Sequence, residues 1–485
     1  MVVSPTVEDA EPLLLDAGED LYNLEEFPQN SFGLGDSHFP EHQLEWSEPF
    51  KWGVVALLSF MGFTVSFTCI SIAPVASYIV EDLDGSDGTK SAVLLVTIWE
   101  LGEAVGPLFI APLSEVFGRY PLLITLNLVF VLATIFAALS PSSILLIVSR
   151  ALMGMSTASN VLSPAIIGDI FEPEQRGSAI SLITFIPLIG SNLGSAVSGI
   201  IMEKLGWRAI IWISVALTSI CQLLLVTFFR ETYKVSILQG REARLGLEKK
   251  RIHRVGLADL RGCIMRPAMV LLSSGVLAAL ALFGSIIFAH LYVVATTLPV
   301  ILKDTYGLSA TATGLSFLAN GLGSVMSFAI LIPFLDKIYM KLGAGNRVGL
   351  PEHRLPLSIV GALTLPPAVL LYGWCAEYRL PLPLLLFSAA WIRLSMMLAF
   401  SPLTSYVVDA FGVYSASALA GLVTFRCLAG AFLPLTITQM TGQLGYGWGF
   451  TMLGVFGMGL ALIPVLVIRY GSHWRKRSSY TGSQR

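Results

Sequence analysis

Two carboxylates, Glu100 and Glu103, interrupt an apolar run from 91 to 112 that carries no other charge. Their spacing of three places both on one face of a helix. A charged group in hydrocarbon costs on the order of 3 kcal/mol or more, so such residues persist where they meet a cavity, a counter-charge or a proton path. Arg150 lies at similar depth in another apolar run, 144–169, and could pair with either glutamate. A carboxylate whose proton affinity changes with access to water is what proton coupling needs. A static ion pair that fixes helix register is the alternative. The second half of the chain places His290, Asn320, Arg393 and Arg426 inside apolar runs, with no intramembrane acid near either arginine in sequence. These four, with Trp99 and Asn192, are candidates to line a substrate cavity. His290 could titrate or serve as a hydrogen-bonded structural residue.

The elements that must position these groups are long and apolar. The chain has 485 residues, 54% of them hydrophobic and 13% charged, against about 25% charged in soluble domains. Runs of this length match what a helix needs to cross a hydrocarbon core about 30 Å thick. Twelve spans are expected near 52–80, 91–112, 121–139, 144–169, 178–202, 208–229, 269–302, 309–335, 356–375, 380–408, 415–440 and 446–470. Gly, Ala and Ser are abundant within them, which permits close helix approach in lipid. Gly190, Gly194 and Gly199 in the fifth span are expected to let that helix bend and pack closely.

Charge sets the topology. Residues 230–268 carry ten Lys or Arg, and Arg475, Lys476 and Arg477 close the chain, whereas the loop near 81–90 holds four acids and one lysine. Positive-inside logic puts both termini and the central loop in the cytosol. Residues 1–50 contain twelve acids and no Lys or Arg, so they read as a disordered acidic cytosolic tail with no signal-peptide pattern. The chain divides into that tail, a six-helix bundle at 51–229, the basic loop at 230–268, a second six-helix bundle at 269–470, and a cytosolic tail at 471–485. Contact with anionic headgroups, rather than nucleic acid, explains the basic loop. The five cysteines form no CxxC pair, no cluster has metal spacing, and no phosphate-cradling loop is present. Neither an enzyme, a bound cofactor, a metal site nor ATP-driven transport is expected.

The loop after the second span reads Pro112-Leu113-Ser114-Glu115-Val116-Phe117-Gly118-Arg119. Arg150 with Gly154, the stretch from Gly168-Asp169 to Arg176-Gly177, and Ser417 to Ala420 followed by Arg426 extend the pattern. In order and spacing these motifs resemble the major facilitator superfamily, particularly its fungal drug:proton antiporter branch. Tyr120 and Val116 stand where the family often has bases, and Ser191 and Ser195 where its antiporters usually carry prolines. The resemblance implies an all-α membrane protein with twelve helices in two six-helix bundles that alternate access. It implies a conformational latch from Glu115, Gly118, Arg119, Asp169 and Arg176, with Asp336 as the second-half counterpart of Glu115. The expected function is secondary active export of a small amphipathic organic molecule such as a drug, toxin or secondary metabolite, by proton antiport through Glu100, Glu103 and Arg150. Alternatives are import or facilitated movement of a nutrient, polyamine or vitamin, or a non-transporting membrane sensor. The expected form is a monomer in the plasma membrane, the vacuolar membrane being the alternative, with substrate, protons and bilayer as its partners.

Overall fold

A computed structural model describes residues 46–85, 89–157, 159–171, 176–233, 265, 267–343, 350–411 and 415–475. The acidic tail up to residue 45, most of the basic central loop and the last ten residues lie outside it, as do the side chains of Glu115, Arg176 and Asp336.

Among the described residues all regular structure is helical. A helix satisfies its own backbone groups, which hydrocarbon demands of any spanning segment. In chain order the helices are α1 (Glu48–Ile70), α2 (Ala76–Asp84), α3 (Thr89–Phe117), α4 (Arg119–Ala138), α5 (Ser143–Met155), α6 (Ser159–Ile170), α7 (Arg176–Leu205) and α8 (Trp207–Phe228). The second half contributes α9 (Gly275–Val300), α10 (Ala310–Ser316), α11 (Leu318–Gly343), α12 (Pro356–Glu377), α13 (Leu382–Phe411), α14 (Ser415–Leu460) and α15 (Leu462–Arg475).

Ten helical stretches among the described residues are long and apolar enough to cross a membrane, against twelve expected. Two places account for the difference. The expected fourth span arrives as α5 and α6, with α5 ending at Met155 and the Ser156 backbone nitrogen bonding back to Leu152 and Gly154. The expected eleventh and twelfth spans run together as α14, which leaves helical geometry at Gly445 (φ 80°, ψ 168°). That φ favours glycine, and it falls at the boundary expected between 440 and 446.

Burial inverts the pattern of a soluble protein. Leu223, Leu272, Ile332 and Val455 are exposed on the surface, while Glu100, Arg150, His290 and Arg393 are buried. Lipid is the natural solvent for such a surface. Small residues fix the helix spacing inside. A Cβ on Gly102 would lie 2.2 Å from the Ala151 carbonyl oxygen, and one on Gly154 would lie 2.2 Å from that of Trp99. Side-chain-free backbone contact therefore locks α3 to α5. The same device joins the two halves of the chain, since a Cβ on Gly199 of α7 would meet the Ala310 carbonyl oxygen of α10 at 2.1 Å.

Candidate functional site

The register of α3 against α5 turns one face of α3 toward the second half of the chain. Glu100 and Glu103 both stand on that face, as their spacing predicts. Glu100 is fully buried, and its Oε1 accepts a hydrogen bond of 2.5 Å from the Tyr292 hydroxyl of α9. Its other oxygen, Oε2, is buried without a partner. The Oε1 of Glu103 accepts from Arg426 Nη2 of α14 at 2.7 Å, and its Oε2 accepts from the Trp99 indole nitrogen at 3.3 Å. Arg426 also lies 4.3 Å from the centre of the Phe288 ring, where the aromatic face adds a favourable cation contact. Two carboxylates from the first half thus meet partners from the second: Glu100 the Tyr292 hydroxyl, and Glu103 the Arg426 guanidinium, 323 residues away in sequence.

Arg150 does not join this ion pair, contrary to the expectation. Its guanidinium donates to three backbone carbonyls: Leu95 at 3.1 Å, Thr68 at 3.0 Å and Cys69 at 2.8 Å. Thr68 and Cys69 end α1, where the last carbonyls have no intrahelical donors and carry the negative pole of the helix. The Trp99 ring, 5.0 Å from the guanidinium carbon, covers another side. The helix end therefore takes the place of a carboxylate, and Arg150 ties α5 to α1 and α3.

The remaining cavity candidates divide. His290 is buried, with Nδ1 on the Ile286 carbonyl at 2.8 Å, the bonding of its structural reading. Asn192 donates to Leu188 within α7 and packs against Gly321 of α11. Asn320 and Arg393 sit on neighbouring helices and share Ser324. The Ser324 hydroxyl donates to the Asn320 backbone carbonyl and accepts from Arg393 Nε at 2.8 Å. Gly190, Gly194 and Gly199 lie in one uninterrupted helix, and each permits close approach: the first two to the Phe63 and Phe67 backbone of α1, the third to α10.

The sequence does not place Tyr292 or Cys427 beside the acids, yet both face them. Cys427 Sγ and carboxylate oxygens of Glu100 and Glu103 lie within 4.8 Å of one another. Arg426 already sits on Glu103, so the positive charge beside these groups is the protein's own. Cys69, Cys221, Cys375 and Cys427 are free and buried.

At the end of the molecule bearing the basic loops, Gly118 adopts φ 92° and starts α4. Arg119 donates to Asp169 at 3.4 Å and to the Ser114 hydroxyl. Glu231, a residue the sequence does not single out, accepts from the backbone nitrogens of Arg119 and Tyr120 at 3.0 and 3.2 Å, and from those of Thr232 and Tyr233. A carboxylate on the free amides of a helix start is favoured by hydrogen bonding and dipole alike. The signal was an acid directly after a span, hidden among ten basic neighbours. Glu231→Ala is expected to cost about 1–2 kcal/mol, read as a lower thermal midpoint of the purified protein, with Glu231→Gln losing less. The second half holds a related arrangement. Arg354 donates to Asp409 at 2.8 Å, and Arg475 makes a two-pronged contact with Glu352.

At the opposite end the halves are tied directly. Lys303 donates to Glu81 at 3.1 Å, and Glu203 accepts from the backbone nitrogen and hydroxyl of Thr311 at 2.8 and 2.6 Å. With the Gly199–Ala310 approach, these contacts close that end.

The sequence matches the family model of the Major Facilitator Superfamily over residues 55–434. It is 31% identical over 451 residues to the MFS transporter cpaT of Aspergillus oryzae, covering 91% of each chain. It is 29% identical over 452 residues to the efflux pump radE of Floropilus chiversii, covering 91% of this chain and 84% of that one. The crystal structure of a D-xylose-proton symporter shares the fold with a TM-score of 0.65 at 18% identity, over 86% of this chain and 97% of the other. The motifs that resembled the fungal branch are accordingly found in a sequence whose relatives are fungal transporters. The helices, the inverted burial pattern and these matches agree that this multi-pass membrane protein belongs to the Major Facilitator Superfamily.

Proposed function

We propose that this transporter exports a small amphipathic organic molecule in exchange for protons. One observation carries the reading: Glu100, Glu103 and Arg426 form a buried charge cluster contributed by both halves of the chain. With both acids ionised the three groups sum to one negative charge, and a single proton neutralises them. Glu100 Oε2 is buried and unpartnered, so it offers the open position for that proton. Rocking one half against the other separates Glu103 from Arg426 and exposes the acids to a new compartment. Protonation and conformation are then two faces of one equilibrium, which is the requirement for coupling.

Twelve crossings in two six-helix bundles, 51–229 and 269–470, fit the α5–α6 pair as one crossing and α14 as two. Both termini and the basic loop then face the cytosol, and the plasma membrane is the proposed site. Asp169 with Arg119, and Asp409 with Arg354, become cytosolic latches, joined by Glu115, Arg176 and Asp336. Glu81–Lys303 and Glu203–Thr311 become the gate on the outer side, which favours reading this state as closed outward. The efflux pump among the relatives supports the outward direction. A polyamine substrate is disfavoured, because the acids it would need are engaged by Arg426 and Tyr292.

The test is uptake of fluorescein and rhodamine 6G into proteoliposomes with an acidic lumen. At least one dye is expected to accumulate, and dissipating the pH gradient with nigericin should release it. Accumulation that survives nigericin would overturn proton coupling, and no protein-dependent movement of either dye would count against amphipathic export.

A further inference from the structure

Arg150, Arg393 and Arg426 all lie within the apolar region, and their charges are answered differently. Arg150 is held by three carbonyls, and Arg426 by Glu103. Arg393 has neither. It is 6% exposed on α13 and makes one hydrogen bond, from Nε to the Ser324 hydroxyl. Its Nη1 is buried with no partner, and none of the ion pairs among the described residues includes it. A guanidinium carries five N–H groups in a planar fork suited to two oxygens of one oxyanion. Leaving that fork empty in a low-dielectric interior is costly, and such groups in membrane proteins mark substrate or ion pathways.

The surroundings hold the fork in place rather than satisfy it. The Ser324 hydroxyl is committed to the Asn320 carbonyl as donor, so its lone pair is turned toward Arg393 Nε. Gly323 brings the backbones of α11 and α13 together, since a Cβ there would lie 2.3 Å from the Ala390 carbonyl oxygen and 3.1 Å from Arg393 Cβ. Asn320, one turn from Ser324 on the same face, is 8% exposed. The guanidinium and the serine that holds it both belong to the second half of the chain, on α13 and α11.

We infer that Arg393 is the recognition group for an oxyanion on the substrate, so that the transported molecule is an amphipathic organic acid bearing a carboxylate. The Nη side of the guanidinium takes the two carboxylate oxygens, Ser324 orients the fork, and Asn320 contributes a further polar contact. The inference rests on the transporter reading above, and names the chemical class of its substrate. A structural arginine would need only the Ser324 contact and would not distinguish an acid from its ester.

The test is equilibrium binding to the purified full chain, which stands apart from flux. The probes are benzoate, 2-naphthoate and 1-pyrenebutyrate, each beside its methyl ester, followed by calorimetry and thermal shift. At least one acid is expected to bind saturably and about tenfold or more tighter than its ester. Arg393→Gln should abolish that preference, Arg393→Lys should keep part of it, and Ser324→Ala should weaken it. Equal or tighter ester binding, no acid binding by any probe, or a preference that survives Arg393→Gln would each overturn the inference. Where Arg393→Gln does not fold, Arg393→Lys and Ser324→Ala carry the test, and a preference unchanged in both would overturn the inference. Acid-selective binding without dye transport would fault the export reading alone, and proton-driven dye transport without acid preference would fault this one alone.

Discussion

Arg426→Ala is expected to abolish proton-driven transport and to destabilise the protein by about 3–5 kcal/mol, because it strands buried acids without their cation. The pair is made at 2.7 Å between side chains that are 15% and 8% exposed, so water can do little to replace the lost partner. Removing both charges should behave differently. In Glu103→Gln with Arg426→Gln, neither group is a stranded ion, and most of the lost stability should return. Transport should not return with it, since in the proposed mechanism that charge couples protonation to the approach of the halves. Thermal unfolding of the two single variants and the double variant, with proteoliposome uptake for each, separates these effects. Near-normal uptake by Arg426→Ala would remove the cluster from the mechanism. A double variant no more stable than Arg426→Ala would show that the pair is not what the single substitution breaks.

Gly199→Ala adds one methyl group at the most crowded glycine between the halves. Its Cβ would lie 2.1 Å from the Ala310 carbonyl oxygen and 2.9 Å from that residue's carbonyl carbon, and backbone cannot rotate aside as a side chain can. The expected result is an end that cannot close, with uptake reduced about tenfold or more while the protein remains folded. Gly457→Ala is the matched control, since nothing lies within 4 Å of the added atom there. Spin labels on cysteines introduced at Leu205 and Leu315, both exposed, would report the separation. The distance should lengthen in Gly199→Ala and remain unchanged in Gly457→Ala. An unchanged distance in both would mean that α7 and α10 can accommodate the methyl group without opening.

Membrane character was legible because apolar runs and the interruptions between them follow directly from what hydrocarbon tolerates. The boundary at Gly445 was legible for the same reason, as a gap between two apolar stretches, though not as a change of direction at that glycine. The break after Met155 was less so: serine and threonine are ordinary residues within spans, and nothing in their order marks the end of α5. In the site, Glu100 and Glu103 announced themselves as charges in an apolar run, and their helical spacing put them on one face. Their partner was hidden, because nothing in the order of residues brings α3 beside α14. Arg150 misled for another reason. It invites a search for an acid, whereas its acceptors are backbone carbonyls, which every residue carries and no sequence pattern marks.

The distance along the chain between Glu103 and Arg426 also bears on how the protein is made. Their separation of 323 residues means that α3 is synthesised long before its counter-charge exists. At about 5–20 residues per second, that interval is on the order of tens of seconds. Until α14 arrives, the glutamates must be sheltered by the insertion machinery, reach water or carry protons. A chain arrested short of residue 426 would retain acids in the bilayer that no later segment neutralises. Those acids distinguish an unfinished chain from a finished one, and give membrane quality control a feature to recognise.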